Sequence, residues 1–266
     1  MSRTSSRTVP NKRVKGSRRG NKRDVTLELE CALIDNGRAM EEGPKRKHWS
    51  IHDLKTVRPL NATQEEMFRE YFEGQHICAH GSAGTGKSYL AVYLALNDLL
   101  SPKTDTEQII IVRSAVPTRD VGHLPGTLEE KTALYELPYK DMFAEFLGHG
   151  NSYQDMKDTR LVQFCTTSFI RGLTWDNAVV IIDEVQNMNW LELDSVITRL
   201  GKNSRIILCG DTVHQQDLKR EQSGFGNALS VIERLRGFSV IPFTHHDIVR
   251  SQFVREWIIA RDGLNL

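Results

Sequence analysis

Residues 81–88 read Gly-Ser-Ala-Gly-Thr-Gly-Lys-Ser, and this run constrains the fold more than any other part of the chain. The spacing G-x-x-x-x-G-K-[ST] is met by Gly81, Gly86, Lys87 and Ser88. Glycines in such a loop let the backbone curl. Its N–H groups, those of Ser82, Ala83, Gly84 and Thr85 among them, then turn inward around phosphate oxygens. Lys87 has the reach for β- and γ-phosphates, and the Ser88 hydroxyl is placed to ligate Mg²⁺. His76–His80 before the loop reads as a short strand, and Tyr89–Leu96 after it as a mostly apolar, buried helix. That helix offers the positive end of its dipole to the same anion. Strand, loop and helix in this order are the context in which the motif binds a nucleotide.

Downstream, apolar runs alternate with helical stretches. Residues 109–112, 161–165, 178–182, 205–209 and 239–243 read as strands, and 247–261 as a closing helix. The β-branched runs predict a mostly parallel sheet with helices on both faces, with ligands beyond the strand C-termini. Motifs fall at such ends. Val179–Ile182 followed by Asp183-Glu184 has the form of a Walker B element, with Asp183 aimed at Mg²⁺ and Glu184 at an attacking water. Arg205–Cys209 ends in Gly210-Asp211, with Gln215 and Gln216 beyond, where Asp211 or a Gln can sense the γ-phosphate. Gly210 is read as allowing close backbone approach to a ligand. Upstream, Thr63 is read as the N-cap of a helix over 65–72, with Glu66 three residues on. Gln64 offers an amide to an adenine edge. Arg250, read as starting the last helix, is a candidate arginine finger.

Composition limits the alternatives. The formal net charge is +1 over 266 residues, but residues 1–23 hold nine Lys/Arg and no acid. The other 243 residues therefore carry 26 basic and 34 acidic groups, a net of −8. We read residues 1–23 as a disordered basic arm fit for nucleic acid, 24–56 as an extension or linker, and 57–266 as the catalytic domain. No apolar run approaches a membrane span. Cys31, Cys78, Cys165 and Cys209 lack the spacing of metal ligands or a redox pair, which suits a reducing, cytoplasmic setting.

Taken together, Thr63-Gln64, the loop 81–88, Val112–Val116, Leu124–Lys131, Phe169–Gly172, Val180–Asn187, Gly210-Asp211 and Asp247–Arg250 resemble the PhoH-like family of P-loop ATPases, in its short, bacteriophage-like form. The resemblance covers residues 57–262. It implies a single RecA-like sheet similar to the first domain of superfamily 1 helicases, with ATP as substrate and Mg²⁺ as cofactor. Action on single-stranded nucleic acid follows from it too, RNA ahead of DNA. It makes Gln64 an adenine contact, Arg250 a finger, and Arg113 and Arg171 candidate phosphate or nucleic-acid contacts. Gln215 follows Asp211 by four residues where the family spaces its Gln by three, and Ser114 stands where proline is common.

Two functions fit these features. One is an ATPase working on nucleic acid, with Lys87, Glu184, Gln215 and Arg250 as its catalytic residues. Because superfamily 1 helicases close the cleft between two such domains, a second subunit is expected to complete it here. A hexameric ring is one closed form, and Arg250 could then reach a neighbour's γ-phosphate. The other is a slow ATP-dependent switch that engages a protein partner. A small-molecule kinase is disfavoured by the paired acids Asp183-Glu184.

Overall fold

A computed structural model describes residues 48–114, 128–167, 170, 172–211 and 223–264. The basic arm, the readings over 24–47, and Arg171, Gln215 and Gln216 lie outside the described residues. The extended runs are β1 (His76–Gly81), β2 (Gln108–Arg113), β3 (Val162–Thr166), β4 (Ala178–Asp183), β5 (Arg205–Gly210) and β6 (Phe238–Phe243). They form one sheet in the order β3-β2-β4-β5-β1-β6, every neighbouring pair parallel. Successive residues feed opposite cores. Ile109, Ile111, Val179, Ile181 and Ile207 face one side, and Ile110, Val112, Val180, Ile182, Ile206 and Leu208 the other. Burial on both faces is why these strands read as unbroken apolar runs rather than alternating ones.

The helices are α1 (Ala62–Phe72), α2 (Lys87–Leu100), α3 (Leu128–Leu147), α4 (Ser152–Asp158), α5 (Trp190–Ile197), α6 (Phe225–Ile232) and α7 (Gln252–Gly263). Helices α1 to α4 place Tyr71, Leu94, Phe143 and Tyr153 in the first core. Helices α5 and α6 place Leu193, Val196, Phe225 and Ile232 in the second. This is the expected α/β P-loop architecture, one parallel sheet covered on both faces. A buried polar knot ties α1, α2 and β5 together. The Tyr71 hydroxyl donates to Asp98 Oδ2 at 2.7 Å, Arg205 Nη1 donates to the Tyr71 carbonyl at 2.7 Å, and Arg205 pairs with Asp98.

Several boundaries differ from the sequence reading. Helix α1 begins at Ala62 and is capped by Asn61, whose side chain accepts the Gln64 N–H at 2.9 Å. Thr63 is thus inside the helix, and its hydroxyl donates to Asp247 Oδ1 at 2.8 Å. Asp247 closes a short 3-10 turn, His245–Asp247, capped by Thr244, so α7 starts only at Gln252. Arg250 therefore precedes the last helix instead of starting it. Residues 48–56, read as part of an extension, pack on the core: Trp49 and Leu54 are buried, and Lys55 N–H donates to the Phe146 carbonyl at 2.8 Å.

Candidate nucleotide-binding site

The sheet order decides what meets at its carboxyl edge. Because β5 lies between β1 and β4, the loop after β1, Asp183 at the end of β4 and Gly210-Asp211 at the end of β5 become neighbours. Arg113, the last residue of β2, sits in register with Asp183. Between these ends lies a cleft of about 640 Å³ whose wall includes Lys87, Ser88, Arg113, Asp183, Glu184, Asp211 and Arg250.

The loop 81–88 has the backbone its glycines allow. Gly84 and Gly86 adopt φ of +74° and +87°, conformations that side chains with a Cβ resist. Gly86 is the N-terminal cap of α2. Lys87 is buried, and its Nζ donates to the carbonyls of Gly81 at 3.1 Å and Ser82 at 2.7 Å. Burial lowers the proton affinity of this ammonium, and the negative charges of Asp211, Asp183 and Glu184 oppose the shift. Ser82, Ala83 and Thr85 complete the loop, with the Thr85 hydroxyl bonded to the Ser82 carbonyl at 3.1 Å.

Asp183 is held from three directions. Its Oδ1 accepts the Ser88 hydroxyl at 2.7 Å and the Glu184 N–H at 3.0 Å, and its Oδ2 accepts the Tyr139 hydroxyl at 2.6 Å. A hydroxyl beside a carboxylate is a hard oxygen pair of the kind Mg²⁺ takes while keeping phosphate and water as its other ligands. Among the described residues no larger His, Cys, Asp and Glu cluster exists to hold a metal. The donor set at Ser88 and Asp183 therefore fits Mg²⁺.

Glu184 turns the chain sharply, with φ 54° and ψ 44°. Its carboxylate accepts from Gln186 Nε2, and its Oε1 lies 4.0 Å from Arg113 Nη2. Burial and the adjoining Asp183 charge raise its proton affinity above that of an ordinary glutamate, against the pull of Arg113. The same Gln186 side chain accepts the Asp211 N–H through Oε1 at 2.9 Å, so it bridges the ends of β4 and β5. Gly210 is needed here for a reason the sequence reading missed. A Cβ on it would lie 2.5 Å from Val185 Cγ2, so packing against that side chain requires a glycine at this position.

Other candidates fall around the loop. The Gln64 amide is buried, donating to the Thr85 carbonyl at 3.0 Å and accepting Leu60 N–H at 2.9 Å. It lines a second cavity of about 280 Å³ with Val57, Leu60 and Val249, whose wall shares Gly84, Gly86, Tyr89 and Arg250 with the first. Arg250 lies against its own chain's loop: a Cβ on Gly84 would sit 3.1 Å from Arg250 Cγ, and Val249 N–H donates to the Gly84 carbonyl at 3.0 Å. Tyr139 and Gln186 belong to the site, and reasoning from the chain alone gave neither a role. For Tyr139 a signal existed in Tyr135, Tyr139, Phe143 and Leu147, four residues apart, the spacing of one helix face.

A family model described as PhoH-like protein matches residues 56–261. A PhoH-like protein of Bacillus subtilis is 33% identical over 213 residues, covering 79% of this chain and 66% of that protein. Protein PhoH of Escherichia coli is 33% identical over 211 residues, covering 78% of this chain and 59% of that protein. The chain thus spans less than two thirds of the length of either relative. Among solved structures, Pif1 helicase from Candida albicans aligns with a TM-score of 0.41 and 18% identity, over 79% of this chain and 44% of that one. Matched over most of its length by that family model, the chain belongs to the PhoH-like family.

Proposed function

We propose that this protein is a Mg²⁺-dependent ATPase that acts on single-stranded nucleic acid, RNA ahead of DNA, as a homo-oligomer. The observation that carries the reading is the meeting of Lys87, Ser88, Asp183 and Glu184 at one cleft, with Ser88 Oγ 2.7 Å from Asp183 Oδ1. Lys87 would leave the carbonyls of Gly81 and Ser82 for the β- and γ-phosphates, and the backbone of the loop would hold the remaining phosphate oxygens. Ser88 and Asp183 would hold Mg²⁺, which when bound neutralises charge developing on the phosphates. Glu184, with its raised proton affinity, would accept the proton of the attacking water, while Gln186 fixes its carboxylate. Arg113 and Arg250 would add positive charge around the γ-phosphate, Arg250 from within the same chain. Beyond the described residues, Gln215 remains the proposed sensor after Asp211, and Arg171 a proposed contact to nucleic acid.

The second cavity suits the base. Gln64 retains one N–H and one lone pair beyond the bonds it makes, enough for an adenine edge. A second copy of the chain would complete the cleft. Exposed apolar side chains support this, since Leu60, on the wall of the second cavity, is 75% exposed and α7, just after Arg250, exposes Phe253 at 73% and Trp257 at 64%.

The test is steady-state ATP hydrolysis with Mg²⁺, alone and with single-stranded RNA or DNA, with Glu184→Gln as the blank. Stimulation by RNA above DNA is the expected result. Slow hydrolysis that no nucleic acid changes would replace this reading with that of an ATP-dependent switch.

A further inference from the structure

We infer that Tyr139 is a positioning residue for Asp183, and that through it helix α3 sets the affinity of the site for its metal ion. The inference rests on the proposed Mg²⁺-dependent reading of the cleft. Of the three groups that Asp183 accepts from, Ser88 and the Glu184 N–H come from the motifs themselves, and the third, Tyr139, reaches in from 44 residues earlier in the chain.

A carboxylate alone can rotate about its Cβ–Cγ bond. Here the Tyr139 hydroxyl engages Oδ2, so Oδ1 is the oxygen left facing Ser88. Tyr139 is suited to this task. Its side chain is fully buried, and its ring packs against Phe164 with centroids 5.8 Å apart, so it has no room to swing. Its hydroxyl lies 2.6 Å from a carboxylate oxygen, which can only accept, so it is the donor of that pair. A phenol that always donates and cannot move is an orienting group of the kind that fixes metal ligands from behind.

Helix α3 is also linked to the second acid through Arg113. One turn before Tyr139, the Tyr135 ring lies 5.6 Å from the Arg113 guanidinium, which in turn lies 4.0 Å from Glu184. Asp183 is thus held by α3 directly, and Glu184 through Arg113. Pro138, Asp141 and Met142 of the same helix line the cleft.

The experiment is a Mg²⁺ titration of Tyr139→Phe, which removes one oxygen and keeps the ring. The Mg²⁺ concentration for half-maximal hydrolysis should rise about tenfold or more. Binding of a fluorescent ATP analogue should weaken by a similar factor with Mg²⁺ and change less than about twofold in EDTA. A purely structural role would weaken binding equally with and without the ion. An unchanged Mg²⁺ titration, or equal loss in both conditions, overturns the inference. Wild-type protein in the same titration separates the two levels: if it needs no Mg²⁺, the reading of the site itself fails. Should Tyr139→Phe not fold, 3-fluorotyrosine placed at position 139 keeps the hydroxyl. Its fluorine resonance should move when Mg²⁺ is added to the nucleotide-bound protein, and a resonance that stays put overturns the inference equally.

Discussion

Gly81→Ala tests the packing behind the phosphate loop. Gly81 ends β1 at φ +123°, paired in register with Phe243 of β6. A Cβ built on it would lie 1.8 Å from the Phe243 carbonyl oxygen and 2.8 Å from its carbon. Both are backbone atoms, so no side-chain rotation relieves the contact, and the end of β6 must move away. That movement strains the bond from Ser82 N–H to the Phe243 carbonyl, now 3.0 Å. The positive φ costs an alanine about 1–2 kcal/mol. The hydrogen bond contributes about 1 kcal/mol. Forcing the strands apart adds roughly 1–3 kcal/mol. The sum, about 3–6 kcal/mol, corresponds to a fall in Tm of roughly 6–24 °C for a domain of this size. Gly74 supplies the control. It has φ +91° and no atom within 4 Å of a built Cβ, so Gly74→Ala carries the conformational cost alone. Its Tm should fall by about 2–8 °C. Calorimetry of the two variants isolates the clash as their difference. Equal losses would mean that the close approach to Phe243 is not what requires glycine at 81.

Other consequences follow from single contacts. Asp98→Ala leaves Arg205 and the Tyr71 hydroxyl without their shared partner in a buried knot, and should cost about 3 kcal/mol, roughly 6–12 °C in Tm. A loss below about 1 kcal/mol in urea unfolding would show that the knot contributes little. Glu184 titrates above the ordinary glutamate range when folded, because of burial and Asp183. The unfolded chain therefore gives up this proton first, so stability falls as pH rises from the unfolded value toward the folded one, and the penalty is complete above the folded value. Glu184→Gln should accordingly be more stable than wild type near about pH 8, with the gain fading toward about pH 4. Matched melting curves across that range check the sign. By the same shift, hydrolysis should lose its base as pH falls, at a pH above the ordinary glutamate range. Lys87→Ala should lower ATP affinity and turnover by about 100-fold or more. Retained activity would move the phosphate site elsewhere.

What the sequence made legible follows from which forces act locally. The strands Ile109–Val112 and Ala178–Ile182 were readable because burial on both faces demands an unbroken apolar run, which few other structures need. The phosphate loop and the two acids were readable because their spacing is set by backbone geometry within eight and two residues. Helix α3 was harder to see, since Pro138 interrupts a stretch that is otherwise helical, and Leu134 and Leu137 stand exposed. Tyr139 could not be assigned for a deeper reason. Its partner Asp183 lies 44 residues away, and only the parallel order of β2 and β4 brings α3 over the end of β4. The same holds for Gln186, whose value comes from Asp211 arriving beside it on β5. The start of α7 was misplaced because Asp247 resembles a helix-opening acid, whereas it folds back on Thr244 to close a 3-10 turn. For Tyr139 and Gln186 the missing signal was a tertiary contact; for α3 and the start of α7 it was local chain geometry.

In the proposed reaction Asp183 and Glu184 divide the work of one site, the first holding the ion and the second activating water. The most direct measurement compares wild type and Glu184→Gln for binding of radiolabelled ATP and for release of phosphate in the presence of Mg²⁺. The variant should bind ATP as tightly as wild type and release phosphate about 100- to 1,000-fold more slowly. Turnover at the wild-type rate would remove Glu184 from the chemistry, and loss of ATP binding would make its role structural.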